Sequence, residues 1–369
     1  MRKIGQLTFH ASHNYGSVLQ AYALSKKLQI WGHETEFINL RPQSQKEVYK
    51  VIKESDVGIH KLFRYLIYPA LKKRYNHFER FINDVLPITK KEYASTQELK
   101  IEHFDYDTYI CGGDQIWNPV CQDFETAYYL QFLDATNGAK KISYSPSLGK
   151  TEFDEDVLCK IEKWVQNFDA ISVREPRGAD IIQKLTDKIV HTVCDPVLLL
   201  DKREWEKLAV KPKYKQPYIL VYFLENNHGS RELIEYLREV TGYDVVIFNE
   251  YIRDFIKLYH KAYSASPEEF VGLFMNASLV YTNSFHGTVF STIFERPFIS
   301  AIAADQENAV NNNDSRKIDY LKKIGLDNRL YTTGKPDKEF LLQIDYSEAR
   351  KKIEDFKKES LNYLMNALQ

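Results

Sequence analysis

Apolar and polar positions follow two alternating periods along most of the chain, which predicts strands that take turns with helices. An apolar run at Lys3–Phe9 precedes a segment with helical spacing at Gly16–Gly32, and a second apolar run follows at Glu34–Leu40. Ser17 is the predicted cap at the start of the helix, and Gly32 stops it. These three segments predict one βαβ unit with parallel strands.

The alternation breaks between about residues 45 and 98, where the sequence becomes helical, basic and aromatic. It returns with a strand that ends near Cys111 and continues to about residue 200. Residues 201–217 are charged and contain two prolines, so we predict a linker there. A second alternating set begins at Tyr218, and a long amphipathic helix occupies the C-terminal residues.

The pattern as a whole predicts an α/β protein with parallel sheets. We assign residues 1–200 to an N-terminal Rossmann-like domain with a helical insertion at about 45–98. Residues 218–345 are assigned to a C-terminal Rossmann-like domain, and residues 346–369 to a helix that packs back on the first domain. The two domains are expected to face each other across a cleft, with ligands beyond the carboxyl ends of the strands.

Composition narrows the class of protein. The chain has 369 residues, of which 44% are hydrophobic and 27% charged, as is typical of a soluble protein with two domains. The formal net charge of −1 gives no overall attraction to nucleic acid, so we expect no nucleic-acid partner. The N-terminus has the pattern of a strand rather than a signal peptide, and no apolar run reaches the length of a membrane span. A cytoplasmic protein is expected.

Motifs for metals and common cofactors are absent from the sequence. The four cysteines lack the spacing of a zinc site or of a disulfide framework. The chain has no Walker loop, GxGxxG, HExxH or GxSxG motif, and no paired carboxylates typical of a metal cage. We therefore expect a site without metal or cofactor.

A glycine turn opens the first helix, in the sequence HNYGSVLQAYAL. Helix N-termini present N–H groups and partial positive charge, so Asn14, Tyr15 and Gly16 could border a polar or anionic ligand. The alternative is a structural turn with a capped helix, and the sequence leaves both open.

The sequence CGGDQIWNP follows a strand directly. Its two glycines allow the backbone to approach a ligand or a neighbouring helix closely. Asp114 could hold a sugar hydroxyl and Trp117 could stack on a sugar ring, and we group Gln115 with them. The alternative is a turn anchored by a buried tryptophan.

Two ionisable side chains follow strands elsewhere in the chain. Arg174, in SVREPRG, offers the planar fork that suits carboxylate and phosphate, unless it forms a structural ion pair with Glu175 or Asp195. His286 lies where a strand passes into a helix at a glycine, in NSFHGTVFSTIFERPF, and suits a general acid. Its alternative is a structural histidine that donates to a backbone carbonyl. Arg316 opens the next helix and is a candidate second cation.

The segment Lys61–Phe81 interleaves basic and aromatic residues. It could lie on an anionic membrane surface. We favour the alternative, an amphipathic helix pair that packs on the first domain.

The ordered series of HNYGSVLQAYAL, GGDQIWNP, SYSPSLG, SVREPRG, CDPVLLL and SFHGTVFSTIFERPF resembles the polysaccharide pyruvyl transferase family and spans nearly the whole chain. The resemblance implies two Rossmann-like domains arranged as in GT-B glycosyltransferases. It also implies phosphoenolpyruvate as the donor and a sugar of an exopolysaccharide or capsule as the acceptor, with a pyruvate ketal on two hydroxyls as the product.

The resemblance also assigns roles to residues. Arg174 matches the family's donor-binding arginine, and His286 matches its general acid, so both are predicted to be catalytic. Many members carry an arginine two residues before that histidine, where this chain has Ser284. The predicted donor site comprises Arg174, Ser284, Phe285, His286, Gly287 and Arg316. The predicted acceptor site comprises Asn14, Tyr15, Gly16, Asp114, Gln115 and Trp117, with the insertion at about 45–98 on the acceptor side.

Three functions stay open at this point. The leading one is the pyruvyl transferase, acting on a sugar or on its lipid-linked precursor in the cytoplasm, with peripheral contact to the inner face of the membrane as an option. The second is a GT-B glycosyltransferase that uses a nucleotide sugar. The third is a catalytically silent polysaccharide-binding protein, which the serine at position 284 motivates. The sequence does not select the acceptor sugar or the ketal linkage.

Overall fold

Residues 1–53, 57–134, 137–150, 152–215, 217–224, 230–248, 259–302 and 314–369 are described by the structure, a computed structural model. The chain divides into two compact units. Unit 1 comprises Met1–Lys50, Glu79–Leu200 and Glu354–Gln369, and unit 2 comprises Val51–Phe78 and Asp201–Ile353.

The strands of the described residues are, in chain order, β1 (Lys3–Leu7), β2 (Glu34–Leu40), β3 (Ile88–Tyr93), β4 (Thr108–Gly112), β5 (Lys140–Tyr144), β6 (Ile171–Val173), β7 (Val190–Thr192), β8 (Tyr218–Tyr222), β9 (Asp244–Ile247), β10 (His260–Lys261), β11 (Leu279–Thr282), β12 (Phe298–Ala301) and β13 (Leu330–Tyr331). Short 3₁₀ turns occupy Thr126–Tyr129, Pro196–Leu199 and Asp327–Arg329.

The helices are α1 (Tyr15–Ile30), α2 (Gln43–Val48), α3 (Gly58–Leu66), α4 (Tyr68–Asp84), α5 (Thr96–Lys100), α6 (Glu155–Val165), α7 (Pro176–Gln183), α8 (Lys202–Leu208), α9 (Ser230–Thr241), α10 (Pro267–Asn276), α11 (Phe285–Ile293), α12 (Ser315–Ile324), α13 (Lys338–Leu342) and α14 (Ser347–Leu368). None of the helices in the described part of the chain is long and apolar enough to cross a membrane.

Unit 1 is built on a parallel sheet with the strand order β3-β2-β1-β4-β5. A parallel pair formed by β6 and β7 continues from β5 through a bridge between Ile142 and Ala170. All five residues of β4 are buried, as expected for a strand that helices cover on both faces. The order of the first five strands is that of a Rossmann fold.

Unit 2 has a parallel sheet with the order β10-β9-β8-β11-β12-β13. All five residues of β8 and all four of β11 are buried. This is the complete six-stranded Rossmann order, in which the direction of strand addition reverses between β8 and β11. The predicted α/β class with two Rossmann-like units is therefore confirmed.

The first helix begins earlier than the sequence predicted. Asn14, rather than Ser17, is the cap of α1, because its side chain accepts a hydrogen bond from the N–H of Gly16 at 2.9 Å. Ser17 lies inside the helix. The helix ends at the cap residue Trp31, and the next residue, Gly32, has a left-handed backbone with φ of 82°. This agrees with the predicted stop at Gly32.

Residues 201–217, predicted as a linker, contain α8 and belong to unit 2. Trp205 is buried there, and its ring lies edge-to-face with that of Phe290, with the centroids 5.0 Å apart. The N–H of Val210 also donates to the carbonyl of Glu268 at 3.0 Å. The linker prediction was wrong because it relied on the charged residues and the prolines, whereas the buried side chain of Trp205 attaches the segment to unit 2.

The segment at about 45–98 is not one helical insertion of the first domain. Val51–Phe78 belongs to unit 2, and the rest belongs to unit 1. Ile88–Tyr93 forms the edge strand β3 beside β2, with Phe37 opposite Ile88. The end of α4 packs on the first unit, as predicted for the helix pair, because the ring centroids of Phe81 and Tyr22 lie 6.1 Å apart, whereas α3 and the start of α4 belong to unit 2. The polar sequence of β3 concealed a strand that only its pairing with β2 specifies.

The last helix, α14, starts in unit 2 and ends in unit 1. In unit 1, Ser360 accepts a hydrogen bond from the N–H of Cys194 at 2.8 Å, and Tyr363 donates to the carbonyl of Ser143 at 2.8 Å. Its C-terminal part thus packs on the first unit, as the sequence predicted.

Candidate active site

The reversal point of the unit 2 sheet lies between the ends of β8 and β11. The hydroxyl of Thr282 donates to the carbonyl of Tyr222 at 2.6 Å, and the side chain of Asn283 accepts from the N–H of Leu224 at 2.8 Å. These bonds hold the carboxyl ends of the two strands together. Ligands of such sheets bind beyond this point.

A tight turn connects β11 to α11 at the same place. Ser284 is the helix cap, and its hydroxyl accepts a hydrogen bond from the N–H of Gly287 at 3.3 Å. The N–H of Ser284 donates to the hydroxyl of Thr282 at 3.0 Å. A Cβ atom at position 287 would overlap that hydroxyl, so the close approach requires glycine.

His286 is the second residue of α11, and 7% of it is exposed. Its ring lies edge-on to Phe285, with the centroids 5.3 Å apart. The first turn of a helix carries partial positive charge and backbone N–H groups, which favour an anion. The turn therefore places an imidazole beside a position suited to phosphate or carboxylate.

Arg316, in the first turn of α12, lies next to this turn. The central carbon of its guanidinium is 5.8 Å from the centroid of the Phe285 ring. Unit 2 thus brings together all the predicted donor-site residues that it contains: Ser284, Phe285, His286, Gly287 and Arg316. The hydroxyl of Ser284 is buried and caps the helix.

Lys317 is a residue that the sequence analysis missed. Its buried ammonium donates to the carbonyl of Asn283 at 2.8 Å and to that of Ala301 at 2.5 Å, and it pairs with Asp314 at 2.6 Å. It therefore holds the ends of β11 and β12 together behind the turn. The adjacent Arg316 and Lys317 at a helix start were the available signal.

The reversal point of the unit 1 sheet lies between β1 and β4. The hydroxyl of Ser17 donates a short hydrogen bond to the carboxylate of Asp114 across this point. Gly113 and Asp114 both have left-handed backbones, with φ of 72° and 51°. Such a conformation is strained for aspartate and is typical of functional sites.

Trp117 does not lie where a sugar could stack on it. Its ring is completely buried, stacks on Tyr129 with centroids 4.8 Å apart, and donates to the carbonyl of Tyr128 at 3.0 Å. The prediction of a sugar platform was wrong, and the alternative of a buried anchor is correct. Gln115 is half-buried, and its side chain accepts from Asn118 at 3.1 Å.

The other predicted acceptor residues lie at the start of α1. Asn14 is half-buried and caps the helix, whereas Tyr15 and Gly16 are buried. The half-buried Asn14, Asp114 and Gln115 all follow strands of the unit 1 sheet. Among the six predicted acceptor residues, these three offer polar side chains that are partly accessible to an acceptor.

Arg174 has two carboxylate partners in unit 1. Its guanidinium donates to Asp195 at 2.6 Å and to Glu175 at 3.0 Å. Burial by itself lowers the pKa of Arg174, but these two carboxylates, with a smaller contribution from Asp114, outweigh burial and hold it above its usual range. The structural ion pair that the sequence left open is therefore present, with both candidate partners.

The sequence analysis also missed a partly buried ion network in unit 1. His13 contacts Glu79 at 2.7 Å, and Arg41 contacts the same carboxylate at 2.5 Å. Burial raises the pKa of Glu79, but hydrogen bonds from His13 and Arg41 outweigh it and lower the pKa to about 2. The three residues are far apart in sequence, so no local pattern links them.

Within the described residues, no group of three or more His, Cys, Asp or Glu side chains is placed to hold a metal ion.

Solved structures show distant similarity to the chain. One is described as a putative UDP-N-acetylglucosamine 2-epimerase from Listeria monocytogenes, with 12% identity, a TM-score of 0.49, and coverage of 98% of this chain and 89% of that one. A second is S. aureus MnaA with UDP, with 13% identity, a TM-score of 0.49, and coverage of 100% and 98%. A third is the E. coli heptosyltransferase WaaC with ADP, with 12% identity, a TM-score of 0.39, and coverage of 98% and 100%. None of the curated proteins matches the chain.

The family comparison covers most of the sequence. The family model described as polysaccharide pyruvyl transferase matches residues 14–306. The matched range includes Asn14, Asp114, Arg174 and the whole His286 turn, and it ends before Arg316. The chain belongs to the polysaccharide pyruvyl transferase family.

Proposed function

We propose that the protein transfers the pyruvyl group of phosphoenolpyruvate to two hydroxyls of a sugar. The sugar belongs to a cell-surface polysaccharide or to its lipid-linked precursor, and the reaction takes place in the cytoplasm, without a further cofactor. The observation that carries the proposal is the His286 turn, which lies at the reversal point of a Rossmann-like sheet and inside the matched family range.

The donor is proposed to bind at the start of α11. Phosphoenolpyruvate carries a phosphate and a carboxylate, and a helix N-terminus stabilises such anions. Arg316, beside Phe285, supplies a guanidinium that can pair with either group. We propose that Arg316 supplies the cation that the family resemblance implies two residues before the histidine, where Ser284 caps the helix.

The reaction needs two proton movements at the donor. The methylene carbon gains a proton, which leaves an oxocarbenium-like centre next to the carboxylate. One sugar hydroxyl adds to that centre and loses its proton, and the bond to the phosphate oxygen breaks. The second hydroxyl then adds and loses its proton, and the departing phosphate gains one. The two hydroxyl protons thus balance those gained by the methylene carbon and by the phosphate, and the products are a ketal and hydrogen phosphate.

His286 is proposed to protonate the departing phosphate. It lies in the first turn of α11, where the anion is expected, and a ring nitrogen of histidine can donate a proton to a phosphate oxygen. General acid assistance of this kind contributes about 10²–10⁴-fold to the rate. Charge stabilisation by Arg316 and the helix N-terminus would act on the same oxygen atoms.

The acceptor is proposed to bind at the carboxyl edge of unit 1. Asp114 combines a strained backbone with a half-buried carboxylate, which can accept a hydrogen bond from a sugar hydroxyl. Gln115 and Asn14 offer amides at the same edge. We propose that Arg174 helps to bind the donor phosphoenolpyruvate. It also has a structural role, because it pairs with Glu175 and Asp195.

Calorimetric titration with phosphoenolpyruvate and with nucleotide sugars tests the donor, and phosphate release over a panel of sugar acceptors tests the transfer. We expect His286→Ala to bind phosphoenolpyruvate as the wild type does and to lose at least about 100-fold in turnover. Arg316→Ala and Arg174→Ala should both weaken donor binding. His103→Ala, which changes an exposed histidine, is the matched control and should behave as the wild type.

The outcomes separate the alternatives. Binding of a nucleotide sugar without phosphoenolpyruvate would replace the proposal with a glycosyltransferase, and no donor binding at all would favour a silent polysaccharide-binding protein. An unchanged turnover in His286→Ala would remove this histidine from the mechanism. Unchanged donor affinity with lower stability in Arg174→Ala would make Arg174 structural.

A further inference from the structure

Helix α3 exposes an apolar face. Ile59, Leu62 and Leu66 are 67%, 71% and 65% exposed, and their spacing of three and four residues places them on one side of the helix. Val57 and Tyr65 extend this face. The free energy falls when large aliphatic side chains are buried away from water. A continuous exposed apolar face is therefore unusual for a protein that acts alone.

The fold already uses a different side of α3. Phe63 and Ile67 are buried with Leu71 of α4, and Val51 packs against them. Arg64 donates to the carbonyl of Val51 at 2.7 Å and 3.2 Å, so it is committed to this contact. The apolar face of Ile59, Leu62 and Leu66 is therefore additional to the one that stabilises the segment.

The exposed apolar residues are concentrated in this segment. Six of the fourteen large hydrophobic side chains that are exposed in the described part of the chain lie between Val57 and Tyr68. The other eight are Met1, Ile30, Ile101, Val120, Ile189, Val210, Leu224 and Met365, which are dispersed along the sequence. Single exposed residues of that kind are ordinary on protein surfaces.

The same segment carries positive charge only. Between Val57 and Phe78 the sequence has five lysines and arginines and no aspartate or glutamate; the nearest acidic residues on either side are Asp56 and Glu79. Lys61, Lys72 and Lys73 are exposed. The segment that carries the apolar face is therefore complementary in charge to an anionic partner.

We infer that this surface, formed by Val57–Tyr68 and Lys72–Lys73, docks on an anionic lipid bilayer. Ile59, Leu62 and Leu66 enter the boundary between headgroups and acyl chains, with α3 lying in the plane of the membrane. Tyr65 and Tyr68 have the amphipathic rings that favour the headgroup level. The lysines attract anionic headgroups, and such attraction acts at the surface without a spanning helix.

Vesicle flotation of the full-length protein tests this inference and requires neither donor nor acceptor. We expect the protein to float with vesicles of phosphatidylcholine and phosphatidylglycerol, and much less with phosphatidylcholine alone. Leu62→Ser/Leu66→Ser should reduce binding by about tenfold or more, because it removes two apolar side chains that would be buried in the bilayer. Lys72→Gln/Lys73→Gln should reduce it by about fivefold for each lysine.

The matched control is Ile101→Ser, which removes an exposed aliphatic side chain from unit 1. It should leave binding unchanged. Each variant changes exposed side chains, so its thermal midpoint should equal that of the wild type.

Three results would overturn the inference: no flotation of the wild type, equal loss in the Ile101→Ser control, or sedimentation as a dimer that only Leu62→Ser/Leu66→Ser dissociates. The last result would assign the face to a second copy of the chain. Turnover on a water-soluble acceptor, measured in parallel, reports on the proposed reaction separately from the membrane.

Discussion

Burial fixes the protonation state of His10, which follows β1 in unit 1. Its ring contacts the carbonyl of Thr8 at 3.2 Å and the side chain of Asn39 at 3.1 Å, and it stacks on Phe37 with centroids 5.5 Å apart. Burial lowers the pKa of His10 to about 4, although both hydrogen bonds raise it. The folded protein therefore holds this imidazole neutral.

This pKa predicts how stability depends on pH. The pKa is about 6.5 in the unfolded chain and lower in the folded one, so the stabilising effect is complete above about 6.5 and is lost as the pH falls towards 4. Between about pH 7.5 and pH 5 we expect a loss of about 2 kcal/mol in the free energy of unfolding.

Urea unfolding at a series of pH values measures this loss. His10→Gln keeps a polar side chain but cannot titrate, so its stability should change less over the same range. His103→Gln, at an exposed position, should retain the full dependence. Equal curves for His10→Gln and the wild type would show that another group titrates.

At the scale of single residues, the sequence predicted the type of chemistry and the two candidate carboxylate partners of Arg174, but not which side chains are accessible. Arg174 and His286 stand after strands, as predicted, and Asp114 follows a glycine pair. Whether a side chain is accessible was not predictable, as Trp117 shows, because aromatic residues serve both cores and sugar sites. The ion network of His13, Arg41 and Glu79 joins three segments that only folding brings together.

At the scale of elements, the start of α11 depends on the Ser284 cap. An arginine at this position would lack a hydroxyl that can accept from the N–H of Gly287. Serine is among the best N-cap residues. The serine at position 284 thus has a structural role in this chain.

Ser284→Ala should lower the free energy of unfolding by about 1 kcal/mol, since it removes the cap. Ser291→Ala is the matched control, because Ser291 is equally buried in the same helix and its hydroxyl donates to the carbonyl of Gly287. That carbonyl keeps its helical N–H partner, so the control should lose less. Urea unfolding of both variants gives the comparison, and a larger loss in Ser291→Ala would contradict the capping role.

Elements with a strong hydrophobic pattern were predicted correctly, and weakly patterned elements were not. The buried strands β1, β2, β4, β8 and β11 are apolar enough to identify from sequence alone. The edge strand β3 and the short helix α8 are polar or charged. Their structure depends on β2 and on the packing of Trp205, which are tertiary contacts.

At the scale of the whole molecule, α14 contributes to the stability of unit 1 although most of that unit lies far earlier in the sequence. The hydroxyl of Ser360 satisfies the buried N–H of Cys194 and itself donates to the carbonyl of Phe356 at 2.7 Å. Tyr363 donates to the carbonyl of Ser143, which also accepts from the hydroxyl of Ser172 at 2.9 Å.

These two contacts predict different costs. Ser360→Ala leaves the N–H of Cys194 without its partner, so the free energy of unfolding should fall by about 1–3 kcal/mol. Tyr363→Phe leaves the carbonyl of Ser143 bonded to Ser172, so the loss should be below about 1 kcal/mol. Denaturant unfolding of the two variants measures both values, and the reverse order would refute this account of the C-terminal helix.

The α/β class, the alternating strands and helices of the two units and the position of the His286 turn could be identified from the sequence, because the spacing of apolar residues specifies helices and strands. The amphipathic pattern identified the C-terminal helix, and its contacts with Cys194 and Ser143 show where it packs. The folded structure was needed to establish that Trp117 is a core anchor, that Ser284 is a cap, that Arg174 pairs with two carboxylates and that α3 exposes an apolar face. Burial and pairing depend on residues distant in sequence, and these meet only when the chain folds.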